Sequence, residues 1–228
     1  MTATAAPVLS SPRPAPVSRM SRWLMAALLP IGPAVIAVLR LVMPYNTTDD
    51  SATIVAKVAA HQQAQSLIVW LGFAGLLTLV PAVLWVARLT RPAAPRTTTA
   101  ALVLLVPGYL ALGLLVAADA ALLSGVRDHV DFAVLARQFD GSHPTAVIAD
   151  AIFVAGHVAG TVLLGVALWL SRVVPRWAAV ATIVAQPLHF VAAVILASHP
   201  LDFAAWGLNA VGFAVAAIAL VRSPDPRA

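Results

Sequence analysis

The sequence predicts an all-α membrane protein: a six-transmembrane-helix bundle with both termini on the cytoplasmic side. Three observations predict it. The chain is 61% hydrophobic and only 10% charged, whereas a soluble domain is usually about 25% charged. Its apolar residues fall into six runs of spanning length, and its basic residues sit mostly at alternate ends of those runs. Mean hydropathy is +0.92.

A helix needs about 20 mainly apolar residues to cross a bilayer. Such runs occur at about 23–43, 66–87, 100–124, 147–170, 178–198 and 204–221, within one membrane domain over 21–222. Residues 1–20 are rich in Pro, Ser and Ala and read as a disordered cytoplasmic tail, with a second short tail at 223–228. The first run is of full spanning length and no small-x-small cleavage site follows it, so a cleaved signal peptide is not expected.

Orientation follows from arginine and lysine bias. With the N-terminus inside, ten basic residues flank the inner ends: Arg13, Arg19, Arg22, Arg88, Arg91, Arg96, Arg172, Arg176, Arg222 and Arg227. Only Arg40, Lys57, Arg127 and Arg137 fall outside, and six aspartates (Asp49, Asp50, Asp128, Asp131, Asp140, Asp202) join them. Tryptophans mark the interfaces independently, with Trp23, Trp85, Trp169 and Trp177 at inner ends and Trp70 and Trp206 near outer ends.

Two outer loops exceed a tight turn, and each is expected to form a short amphipathic helix. In the first, Asn46, Thr47, Thr48 and Asp49 offer caps before Ser51–Gln65, where Ile54, Val55 and Val58 form one stripe. In the second, Val130, Phe132 and Leu135 form a shorter stripe ending at Asp140-Gly141. Asn46-Thr47-Thr48 matches a glycosylation acceptor, a common triplet with no weight in a bacterial protein. A faint repeat relates Gly72 and Ala82–Arg88 to Gly156 and Val166–Arg172 at an offset of 84. Convergence is the favoured account, because any inner helix end favours apolar residues, Trp and Arg.

Polar groups inside a span are costly and usually face the bundle interior. Asp119, Asp150, His157 and His189 are the ionisable candidates, with Gln186 and Asn209 as neutral partners. At about 1.5 Å per residue, Asp119, Asp150 and Asn209 lie roughly 5–8 Å below the outer helix ends, and His157 and His189 roughly 14–15 Å. The expected object is an outward-facing polar pocket with carboxylates at its mouth and imidazoles at its floor. Asp150 and His157, seven apart, share one helix face. Gly156 and Gly160 flank His157 with spacing that lets another helix approach closely. Pro187 is expected to kink the fifth helix near His189, and Pro81 and Pro107 to act similarly in the second and third.

Three readings of the histidines stand side by side. They are neutral groups satisfied within the bundle, or a pair of haem or metal ligands, or members of a proton relay or substrate site. The aspartates equally suit snorkelling to the interface, and His143-Pro144 and His199-Pro200 suit boundary turns. Asn209 fits an interhelical hydrogen bond as well as a ligand contact.

Several chemistries are excluded. There is no cysteine for a disulfide, thiolate metal site or Fe–S cluster. The only lysine, Lys57, lies outside the spans, so a retinal Schiff base has no anchor. No Walker sequence or His-Glu-x-x-His helix occurs, and the scattered arginines do not form a nucleic-acid footprint, although the pI is near 11.0. All nine acids are aspartate and thirteen of fourteen bases arginine, a bias typical of high-GC bacteria.

Leu170-Ser171-Arg172-Val173-Val174-Pro175-Arg176-Trp177 resembles a signature of bacterial six-helix membrane proteins, and Pro44-Tyr45-Asn46-Thr47-Thr48-Asp49-Asp50 is similar to segments of actinobacterial ones. The resemblance implies a multi-pass protein of the bacterial inner membrane and carries no activity, cofactor or site residue with it. Three functional expectations remain. One is binding or moving a small molecule or proton through the pocket. Another is redox or metal chemistry at His157 and His189. The third is an accessory subunit without chemistry. An enzyme is not the expectation, since no nucleophile is marked. The partners expected are the lipid bilayer and, under the first of these readings, a small-molecule ligand, with no nucleic acid.

Overall fold

The computed structural model describes residues 19–222. The tails expected at 1–20 and 223–228 fall outside these, except that Arg19 and Met20 already belong to the first helix. All regular elements among the described residues are helical. Six segments are long and apolar enough to cross a membrane: Arg19–Val42, Gln62–Thr90, Pro95–Arg127, Pro144–Ser171, Arg176–Ile195 and His199–Arg222. Most run past the apolar stretches at one or both ends, because polar flanking residues continue the helical hydrogen bonding.

The first span is two helices, α1 (Arg19–Leu28) and α2 (Ile31–Val42). Pro30 and Pro33 divide it, since neither has an N–H to carry the ladder through. The following loop leads to α3 (Ser51–Ala60), capped by Asp50, which accepts the Thr53 N–H at 2.7 Å. The expected caps at 46–49 do not serve. Asp49 instead accepts from the Asn46 N–H and from Lys57. After His61 the chain continues as α4 (Gln62–Thr90) and α5 (Pro95–Arg127). Pro81 and Pro107 lie inside these two helices without ending them.

Asp131 caps α6 (Phe132–Asp140), which buries Leu135 against Gly125 of α5. Ile54, Val55 and Val58 of α3 are buried in the same apolar cluster as Leu122 and Val126 of α5. The short helices α3 and α6 pack on each other, and Ser51 hydrogen-bonds Asp140. His143 and Pro144 open α7 (Pro144–Ser171), whose C-cap Arg172 is left-handed (φ 56°). α8 (Arg176–Phe190) contains Pro187 and passes into a π-helical segment, Val191–Ile195. The π segment begins four residues beyond the proline. α9 (His199–Arg222) completes the chain.

The spans pack in chain order and close into a ring, with α9 returning to α1 and α2. Its largest interface joins α5 to α7. A Cβ on Gly156 would stand 2.6 Å from the Leu104 carbonyl and 2.9 Å from the Gly108 Cα, so the backbones touch here. Gly160 meets Leu105 in the same way, as the small-residue spacing predicts. Leu79, Val83, Leu105, Leu164, Leu168 and Phe213 fill the interior. One end of the bundle carries α3 and α6, and the other carries the described chain ends, Arg19 and Arg222. The offset-84 likeness is not matched locally: α4 continues through Arg88 to Thr90, while α7 stops before Arg172.

Candidate functional site

Near the α3/α6 end, four helices bring polar side chains to one buried cluster. α9 supplies Asp202, Trp206 and Asn209, spaced so that all three share a face. α8 supplies His189 and, one turn deeper, Gln186. α7 supplies His157, and α2 supplies Arg40. Asp202, Gln186 and Asn209 have no exposed surface, and Trp206 and His157 are 1% exposed.

Asp202 organises the cluster. One carboxylate oxygen accepts from Arg40 Nε and the other from His189 Nδ1. A carboxylate only accepts, so His189 holds its proton on Nδ1 whether neutral or charged. Arg40 Nη1 also rests 3.1 Å from the Met43 sulfur. The His157 Nδ1–H donates to the Phe153 carbonyl at 2.6 Å, which leaves Nε2 of the neutral ring as a bare acceptor. Phe153 stacks on His157 at 4.3 Å between centroids, and His189 lies 5.2 Å away on another side. Trp206 touches both imidazoles, at 5.9 and 5.5 Å.

Several buried polar atoms here have no protein partner: His157 Nε2, Trp206 Nε1 and both side-chain polar atoms of Gln186 and of Asn209. Leaving one such group unsatisfied costs about 1–3 kcal/mol. The set combines an acceptor, an indole donor and two amides that do both. Arg40 and Asp202 within it are already paired with each other.

Asp119 stands apart, accepting from the Tyr45 hydroxyl at 2.6 Å and from Gln65 Nε2 at 2.9 Å. This grouping fastens the first loop to α4 and α5. Burial, followed by the facing Asp119 carboxylate, raises the Tyr45 pKa well above its ordinary value. Asp150 is exposed and makes no hydrogen bond among the described residues. It shares a helix face with His157 but stays exposed, although its neighbour Ala149 is buried. Of the six expected site residues, the structure therefore gathers His157, Gln186, His189 and Asn209, and leaves Asp119 and Asp150 elsewhere.

Three residues of the cluster carry other expectations in the sequence. Arg40 and Asp202 count as outer surface charges, yet Arg40 lies two residues before the end of α2, Asp202 three after the start of α9, and both are buried. Trp206 counts as an interfacial anchor, yet it is packed among the histidines. The spacing of Asp202, Trp206 and Asn209 along one face is the signal that would have placed them together. The first loop covers this region: Thr47 donates to the Ala193 carbonyl of the π segment at 2.9 Å.

No set of three or more His, Cys, Asp or Glu arranged to hold a metal occurs among the described residues. The class defined so far is a helical membrane bundle with an internal polar cluster. In comparisons with known proteins, no family, curated protein or solved structure matches the chain.

Proposed function

We propose that this protein is a multi-pass bacterial inner-membrane protein that binds a small polar molecule or a proton. The guest sits at the Arg40–Asp202–His189–His157 cluster and enters from the outer face. The observation that carries the reading is the juxtaposition of a hydrogen-bonded Arg40–Asp202–His189 chain with unpartnered His157 Nε2, Gln186 and Asn209. Such an arrangement suits an uncharged molecule that both donates and accepts, while the bare Nε2 of His157 is the atom that would take a proton. Both termini lie in the cytoplasm in this reading, and α3 and α6 cover the outer mouth. The arginine bias supports that sidedness, and it sharpens once Arg40 is moved from the surface to the interior.

A high-resolution structure of protein purified from its native membrane tests the reading. Non-protein density within hydrogen-bond distance of His157 Nε2, Trp206 Nε1 or Gln186 is expected. A cluster that closes dry upon itself overturns it.

A second reading, metal binding by His157 and His189, has its own observation. Each imidazole spends Nδ1 on a carbonyl or carboxylate and leaves Nε2 without a protein hydrogen bond, the usual arrangement of a ligating histidine. Two imidazoles bound to one ion at about 2.0–2.1 Å place their centroids on the order of 5–6 Å apart, and these rings are 5.2 Å apart. A haem plane fits poorly, because Trp206 packs against both rings. Stoichiometric metal in purified protein, lost in His157→Ala, supports this reading. A metal-free preparation that takes up neither Zn²⁺ nor Cu²⁺ excludes it.

A further inference from the structure

The opposite end of the bundle has a different character. From Arg19 to Arg222 it carries eight arginines and, among the described residues, no acid. No described carboxylate occurs between Asp50 and Asp119, so the α4–α5 hairpin meets this end with Arg88, Arg91 and Arg96 and no counter-ion of its own. A crevice of about 480 Å³ opens there, lined by Leu84, Ala87, Arg88, Arg91, Pro92 and Leu102. Leu84, Ala87, Arg88 and Arg91 are one helical stripe, apolar towards the middle of the bundle and basic at its end.

The basic part is also oriented. The Arg88 guanidinium lies 5.3 Å from the centroid of Trp85, and Arg176 lies equally over Trp169. Contact with a ring face restrains a guanidinium, and a guanidinium fork can grip an oxyanion bidentately. Tryptophans of this kind mark the headgroup level of a bilayer. An apolar groove that ends in two arginines at that level matches an acyl chain leading to a phosphate.

We propose that the Arg88–Arg91 crevice is a binding site for the headgroup phosphate of an anionic phospholipid, with Leu84, Ala87 and Leu102 against its acyl chain. The site is independent of the polar cluster at the other end.

Native mass spectrometry of detergent-purified full-length protein, titrated with phosphatidylglycerol or phosphatidylcholine, tests this. Wild type is expected to hold phosphatidylglycerol adducts in preference to phosphatidylcholine. The double variant R88Q/R91Q is expected to bind phosphatidylglycerol roughly 30-fold more weakly, about fivefold for each arginine near a membrane surface. R127Q/R137Q, altered at exposed positions of the other end, is expected to bind as wild type, which separates this site from general loss of positive charge. R88K/R91K should be intermediate, keeping the charge without the fork. Equal retention of the two lipids overturns the proposal, as does undiminished binding by a folded R88Q/R91Q. Displacement of the lipid by millimolar inorganic phosphate also overturns it, and would make this a soluble-anion site.

Discussion

Arg40 and Asp202, 162 residues apart in the chain, form a buried ion pair that ties the first span to the last. His189 completes it from a third helix. One carboxylate therefore joins the ring closure to the candidate site.

Breaking that pair on one side is expected to be expensive, because the remaining charge is left inside the bundle. Arg40→Ala and Asp202→Ala should each lower unfolding stability by about 3–5 kcal/mol. The joint replacement Arg40→Met with Asp202→Leu should recover much of the loss. Denaturant titration in detergent measures this, and single losses below about 1 kcal/mol would show that water already solvates the pair.

Gly156 and Gly207 should respond in opposite ways to the same substitution. A Cβ at Gly156 meets the backbone of α5, whereas one at Gly207 has nothing within 4 Å. Gly156→Ala is expected to cost about 1–3 kcal/mol by forcing α5 and α7 apart. Gly207→Ala should be neutral or stabilise by up to about 1 kcal/mol through helix propensity. Thermal unfolding of the two variants side by side decides it.

Tyr45 makes the first loop sensitive to alkali. Its pKa is raised in the folded protein by burial and by Asp119. The neutral phenol therefore contributes stability that is fully present below the unfolded value of about 10. That stability is lost as pH rises from there through the folded value. Tyr45→Phe should flatten this alkaline loss and, by removing the hydrogen bond to Asp119, lower stability at neutral pH by about 1–3 kcal/mol. An unchanged alkaline limb in the variant would assign the loss to other groups.

Sidedness is directly measurable because the chain has no cysteine. Ser142→Cys, beyond α6, should react with a membrane-impermeant maleimide on intact cells. Ala93→Cys, in the α4–α5 turn, should react only after permeabilisation. Both positions are exposed, so the reverse pattern would invert the topology rather than report burial.

The spans were legible because bilayer crossing imposes a length and a composition that few other structures need. His157, His189, Gln186 and Asn209 were legible for the same reason, being polar groups where polarity is costly. Arg40, Asp202 and Trp206, which sequence reading misplaced, lie within a turn of the expected span ends. There, a buried Arg40 and a surface arginine look alike, and Trp206 looks like Trp70. Depth alone could not distinguish them, because burial at that level is decided by which helix closes the ring and where the first loop lies. The π turn of Val191–Ile195 also left no length signal, since it consumes residues without lengthening the span.

The partnership of Arg40 and Asp202 has a consequence for how the protein is made. A chain synthesised from its N-terminus brings the arginine to the bilayer long before its aspartate leaves the ribosome. Until α9 inserts, α2 holds an uncompensated cation near its end, a position where snorkelling can relieve part of the cost. Insertion of the last span is then the step that commits the bundle, and a chain truncated before residue 202 would display the unpaired arginine to membrane quality control.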